Sequence, residues 1–320
     1  MSPLRISVSA LAIVSITPLL TACASHSAPG APISLIPSAL TSSALVSDGH
    51  VRPRPKFLYV SNCCVRYKKY KAVINVYNAQ SEKNPPPVAA IKIGPTGAEG
   101  LCTDAAGNLY VVSASGNSVT VYPKGRIKPS VVYTQDLSFP QADAVDSHGT
   151  LYVTSSTNNL IVEYPKGSTT PSLTFSPPQG FAVGLTLDKQ DNLYVTANGS
   201  SAIWRYAPGS TKGQALPYKV PGSYPNLIGV AIDDKGRVFV GDASNNSIYG
   251  FSGTSSTPFE TITQGLNYEY FFGFGPDGNL YVPNPGANTV TVYAPNNPSV
   301  MTTFSENMAT PGGVAFLNVK

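Results

Sequence analysis

Few groups in this sequence can do chemistry. Past residue 55 it holds one histidine, His148, three cysteines, Cys63, Cys64 and Cys102, and a thin scatter of carboxylates. Asp143 is the most unusual of these. It stands where the other copies of a repeated unit carry Leu101, Leu185, Val230, Phe272 and Val314. A buried carboxylate is costly, so this one must be paired, solvated by a channel or bound to a metal. Glu99 and Glu269 precede apolar segments and read as solvated rim charges. A second group is basic and aromatic: Arg66, Tyr67, Lys68, Lys69, Tyr70 and Lys71 run consecutively, and Tyr224, Tyr268 and Tyr270 precede later copies of the unit. Exposed aromatics beside charges suit a protein, peptide or glycan surface, or plug a channel mouth. Cys102 reads either as a buried free thiol or as the partner of Cys63 or Cys64, if the Cα atoms lie within about 7 Å. No Ser-His-Asp set and no phosphate loop is present.

The elements that position these groups come from a repeat. Tyr59, Tyr110, Tyr152, Tyr194, Phe239 and Tyr281 each sit inside a Leu/Val-aromatic-Val triplet, 42 to 51 residues apart. Six β-rich copies at that spacing predict an all-β fold, a six-bladed β-propeller of four-stranded antiparallel blades. Each copy opens on an apolar strand such as Gly229–Ile232. A tight turn follows, as in Asp104-Ala-Ala-Gly107, where Asp hydrogen-bonds its own backbone and Gly supplies positive φ. Asp191 replaces that Gly in one copy, since Asp tolerates the left-handed region better than most residues. The aromatic triplet is next, then a polar hairpin with Asn117, Asn159, Asn246 or Asn288. The first copy lacks its opening strand and the C-terminus ends on Gly313–Leu317, an opening strand without a successor. The C-terminal strand is therefore expected to join the first blade and close the ring. Opening strands begin, and triplet strands end, on one face of the disc, which gathers Asn62, Ser113, Ser155, Asp242 and Asn284 with Glu99, Asp143 and Glu269. His148 falls in a turn on the opposite face, which argues against a His-dependent mechanism.

Residues 229–251, Gly-Val-Ala-Ile-Asp-Asp-Lys-Gly-Arg-Val-Phe-Val-Gly-Asp-Ala-Ser-Asn-Asn-Ser-Ile-Tyr-Gly-Phe, resemble an NHL repeat, with Asn245-Asn246 where that family carries Asn-His. The resemblance covers about residues 56–320 and implies a loop-bracing role for Asp242. Six-bladed relatives similar to gluconolactonases hold a divalent cation in the channel. By that resemblance Glu99, Asp143 and Asp242, with Asn62 and Asn284, would be the oxygen ligands of a calcium ion. Propeller lyases similar to the streptogramin-inactivating family depend on a His that this channel lacks.

The N-terminus reads as an address. Arg5, an apolar run from Ile6 to Leu20, and Leu20-Thr21-Ala22-Cys23 resemble a bacterial lipoprotein signal with its lipobox. The resemblance implies that residues 1–22 are removed and that Cys23 carries lipid. Ala24 favours the outer membrane. Residues 23–55, rich in Ser, Ala and Pro, read as a tether without structure of its own. Charged residues are only 12% and net charge is +4, so a nucleic-acid partner is disfavoured, while 42% hydrophobic residues suffice for a core. The expectation is an exported, lipid-anchored monomer that presents one face to a protein or glycan partner. The alternative is a metal-dependent lactonase-like hydrolase using the channel.

Overall fold

The computed structural model describes residues 44–47, 50–53, 55–62, 72–81, 84–94, 97–222 and 225–317. All of them belong to one compact unit, Ile33–Lys320. Among the described residues every regular element is a strand. Six four-stranded antiparallel sheets follow one another as blades of a propeller. From the channel outward, blade one is Pro311–Leu317, Phe57–Asn62, Ala72–Asn78 and Ala89–Gly94. Blade two is Ala98–Thr103, Leu109–Ser113, Ser118–Tyr122 and Val131–Tyr133. Blade three is Pro140–Val145, Leu151–Ser155, Leu160–Tyr164 and Leu173–Phe175. Blade four is Phe181–Leu187, Leu193–Asn198, Ile203–Tyr206 and Gln214–Ala215. Blade five is Leu227–Ile232, Val238–Asp242, Ser247–Phe251 and Glu260–Ile262. Blade six is Gly273–Phe274, Leu280–Asn284, Thr289–Tyr293 and Val300–Phe304.

The C-terminal strand closes the ring as expected: Val314, Ala315, Phe316 and Leu317 pair with Val60, Tyr59, Leu58 and Phe57. Ser61 locks this seam. Its buried hydroxyl accepts the Gly313 N–H (2.6 Å) and donates to the Glu99 carbonyl of blade two (2.6 Å). Thr154 and Thr196 repeat the device, donating to Val183 O (2.6 Å) and Ile228 O (2.8 Å) of the following blade.

Local chemistry explains the repeat. The turn aspartate collects the Asn side chain two or four residues on and the Tyr hydroxyl of the triplet. Asn192 Nδ2 (2.8 Å) and Tyr194 OH (3.2 Å) donate to Asp188, and Asn279 Nδ2 (2.8 Å) and Tyr281 OH (3.0 Å) to Asp277. Asp191 holds φ 59 in the glycine position. Asn117, Asn159, Asn246 and Asn288 all adopt positive φ. Each then accepts a backbone N–H from the next blade: Phe139 (2.8 Å), Ala182 (3.0 Å), Tyr268 (2.5 Å) and Thr310 (2.8 Å). The hairpin asparagines are thus inter-blade staples, each worth about 1 kcal/mol. Apolar cores fill the gaps between blades; Tyr110, Val112, Leu151, Val153 and Val162 join blades two and three.

Two expectations change. Residues 44–53, read above as part of an unstructured tether, include a pair of strands, Ala44–Ser47 with His50–Pro53. The signal was Asp48-Gly49 between β-branched residues, a strong hairpin dipeptide. Glu269, read as a rim charge, is fully buried. Five of the six inner strands carry a bulge near their start, between Ala98 and Leu101, for example, and between Leu227 and Val230. Glu269 stands at the position that Ala98, Pro140, Ala182, Leu227 and Pro311 hold before those bulges, and like Ala98, Pro140, Ala182, Leu227 and Pro311 it is buried.

Candidate binding face and central channel

The inner strands begin around the upper mouth of the channel, and the bulges set which residues face it. The first residue after the buried column is Glu99, Gln141, Val183, Ile228, Tyr270 or Gly312 in the six blades. Tyr270 of blade six reaches across toward blade three, its hydroxyl 3.5 Å from Gln141 Oε1. Val183 and Ile228 are buried, and Phe271 packs edge-on against Tyr270 (4.5 Å). These side chains plug the mouth. Blade five leaves room for it. A Cβ on Gly229 would lie 2.4 Å from the Tyr270 carbonyl, and one on Gly241 2.7 Å from the Phe272 ring, so only glycine fits at either place.

In three blades the residue just before the buried column points outward. Phe139, Phe181 and Tyr268 hold this one position in blades three, four and six, and they are 43%, 58% and 44% exposed. Phe139 and Tyr268 have positive φ, 53° and 56°, a conformation uncommon for bulky residues, and the Asn117 and Asn246 staples hold them in it. Three large aromatics thus stand on one face of a rigid disc. Sequence reasoning found Tyr268 but missed Phe139 and Phe181. Their signal was a fixed offset before each inner strand, which comparison of strands alone passes over. Tyr224 and Arg66, Tyr67, Lys68, Lys69 and Tyr70 lie outside the described residues, as do Cys23, Cys63 and Cys64.

The carboxylates separate into three environments. Asp242 is fully buried and satisfied. It accepts the Asn226 (2.9 Å) and Ser244 (3.2 Å) N–H groups and Asn245 Nδ2 (2.6 Å), bracing the blade-five loop. Asn62 and Asn284 brace the equivalent loops, accepting the Ala309 (3.0 Å) and Asn267 (3.1 Å) N–H groups. Glu99 is half-buried in the mouth ring, and burial pushes its carboxyl up to about 7. Neither Asp143 nor Glu269 has a hydrogen-bond partner for its buried carboxyl oxygens. Burial pushes both up to about 8, opposed at Asp143 by the Cys102 thiol and helped at Glu269 by the Asp242 charge. Ionising either in place would leave a buried charge without a counterion. Cys102 is a free thiol beside Asp143 of blade three. Among the described residues no three His, Cys, Asp or Glu side chains gather as a metal site. A hard cation needs several free oxygens. Asp242, Asn62 and Asn284 already accept backbone N–H groups with theirs.

The channel below the plug is a cavity of about 210 Å³. Leu101, Asp143, Leu185, Val230, Phe272 and Val314 ring its upper part, each under a tenth exposed. Further down, Cys102, Ala144, Thr186 and Gly273 are half-buried, and so are Thr103, Val145, Leu187 and Ile232 below them. Exposure rises downward, so the channel opens on the face opposite the aromatics. His148 lies on that lower face with its side chain 82% exposed, 3.5 Å from Asp191.

No protein-family model matches the chain, and no curated protein matches it. Many solved structures do. The nidogen/laminin complex matches over 81% of this chain and 97% of that one, with a TM-score of 0.65 and 19% identity. A catalytically inactive histidine-to-alanine form of virginiamycin B lyase from Staphylococcus aureus, with quinupristin, matches over 68% and 73%, with a TM-score of 0.54 and 15% identity. A streptogramin B lyase structure matches over 78% and 74%, with a TM-score of 0.53 and 15% identity. At these identities the likeness establishes the fold alone: the chain is a six-bladed β-propeller.

Proposed function

We propose that this chain is a non-catalytic binding module that docks a protein partner on its upper face. The observation that carries the reading is the trio Phe139, Phe181 and Tyr268, exposed at one repeat position, with inter-blade staples on Phe139 and Tyr268 and on Ala182 beside Phe181. Rigid, exposed aromatics supply contact area at low entropic cost and are enriched at interface hot spots. The basic-aromatic run Arg66–Lys71 is proposed to contribute to the same partner-binding role. The nidogen/laminin neighbour is a protein–protein assembly, which accords with this use of the fold. The plugged upper mouth offers a partner a surface rather than a pocket. On this reading the N-terminal segment exports the chain, and lipid on Cys23 tethers the disc at the cell envelope, outer membrane favoured.

The lactonase-like alternative needs Glu99, Asp143 and Asp242 to share a cation. It has less support, because Asp242 already brackets its own loop.

The test compares capture from native envelope extract by the intact chain and by a Phe139→Asn, Phe181→Ser, Tyr268→Asn variant. Asn tolerates positive φ better than Phe or Tyr, so the variant keeps the fold. The reading predicts a protein retained by the intact chain and lost with the variant. Equal retention, or binding of glycans alone on an array, contradicts it.

A further inference from the structure

The lower face carries charge that neither the upper face nor the channel uses. Blades turn there between their third and fourth strands. In blade two the turn reads Pro123-Lys124-Gly125-Arg126-Ile127-Lys128, and in blade three Pro165-Lys166-Gly167-Ser168. Both are closed alike, by the Arg126 N–H on the Pro123 carbonyl (2.8 Å) and the Ser168 N–H on the Pro165 carbonyl (3.0 Å). Lys124, Arg126, Lys128 and Lys166 are all exposed, and neither turn holds an acid. The aspartates of the neighbouring turns are half-buried and occupied. Asp104 accepts the Asn108 N–H (2.8 Å) and Nδ2 (2.8 Å), and Asp146 the His148 (2.9 Å) and Thr150 (2.8 Å) N–H groups. Blades four and five differ, because acids there surround each lysine, as in Asp188-Lys189-Gln190-Asp191 and Asp233-Asp234-Lys235. Blade two also sets Ile127 among its cations, 42% exposed. Free cations around a protruding aliphatic side chain match a lipid headgroup layer, with the charges on phosphates and the side chain at the acyl boundary.

The N-terminal segment reaches the propeller at the same place. Strand Phe57–Asn62 starts on the lower face, where Phe57 pairs with Leu317. A Cβ on Gly107 would lie 3.0 Å from Leu317 Cδ1 and 3.1 Å from Lys124 Cδ, so the point of entry and the basic turn share a neighbour. A tether anchored in a membrane brings this rim to it first.

We propose that the lower rim of blades two and three rests on an anionic phospholipid surface, with Lys124, Arg126, Lys128 and Lys166 on headgroup phosphates and Ile127 inserted between them. The upper face then points away from the membrane. The charge argument stands without the anchor; only the argument from the point of entry rests on that reading.

The test is co-sedimentation of the full chain with vesicles of equal parts phosphatidylglycerol and phosphatidylcholine, and with phosphatidylcholine alone. Each Lys or Arg near an anionic surface strengthens binding about fivefold. Expected is tighter binding to the anionic vesicles, weakened by salt and falling roughly tenfold or more in Lys124→Gln, Arg126→Gln, Lys128→Gln, Lys166→Gln. The variant keeps the same N-terminal segment, so the difference reports the turns. A comparison variant, Lys212→Gln, Lys219→Gln, Lys235→Gln, removes exposed cations elsewhere on the disc and should bind as the intact chain does. Ile127→Trp should shift its emission to shorter wavelength on the anionic vesicles, and Phe181→Trp on the upper face should not; the native Trp204 is buried. Equal binding to both vesicle types overturns the proposal. So does an equal loss in the two charge variants, an emission shift at 181 without one at 127, or a DNA duplex that displaces the vesicles from the intact chain.

Discussion

Replacing Asp143 with leucine should stabilise this protein, and the size of the effect should depend on pH. The position is Leu, Val or Phe in the other five blades, and the channel beside it is roomy enough for a leucine to be accommodated. The native carboxyl is pushed up from 3.8 to about 8 by burial. A group raised on folding contributes fully below its unfolded value, and the contribution is lost as pH rises toward its folded value. Between pH 4 and 8 the native chain should therefore lose about 1 kcal/mol of stability per pH unit through this residue. At pH 7 that amounts to roughly 3–4 kcal/mol relative to acid. Leucine removes the penalty and adds apolar burial of about 1.5–3 kcal/mol, less any overpacking strain. Urea unfolding of both proteins at several pH values between 4.5 and 9 gives the difference directly. It should grow with pH and level off above about 8. A difference that stays constant over that range would show that Asp143 is not held neutral in the channel, and the environment assigned to it would be wrong.

Glu269→Gln should flatten the same region of the pH–stability curve independently, because that carboxyl is also raised to about 8 and fully buried; matching slopes for variant and native chain refute it. Ser61→Ala leaves the Gly313 N–H and the Glu99 carbonyl unpaired at the ring seam and should cost about 1–3 kcal/mol in urea unfolding, whereas a change within error would mean water replaces the hydroxyl. Asn246→Ala removes both the staple to Tyr268 and a residue suited to φ 47, and should cost about 1–2 kcal/mol in urea unfolding; a change within error would refute the staple.

The ring and its closure were legible because each blade repeats local chemistry that sequence displays. The turn Asp, the glycine or Asp191 after it, the triplet and the hairpin asparagine all have near-neighbour physical reasons. Asp143 was legible for a related reason, as the polar member of an otherwise apolar column. Glu269 was not. It precedes the inner strand and was read as a rim charge from that place alone, whereas in the fold that place is buried. The plug was foreseen as one of two uses of the aromatics around Tyr268 and Tyr270, but the contact of Tyr270 with Gln141 across the ring is encoded by no local pattern. Phe139 and Phe181 lie just outside the strands whose comparison defined the repeat. Asp242 shows the converse limit: a carboxylate at a suggestive position proves to serve its own loop.

The central claim is that a protein docks on the upper aromatic face. The most direct measurement places a photo-crosslinking phenylalanine analogue at position 181, on that face, or at position 132, exposed on the outer strand of blade two. Irradiation is carried out in the native envelope. The account predicts a discrete protein adduct from position 181 and none from position 132. Adducts from both positions alike, or none from 181 with the protein folded and anchored, would contradict it.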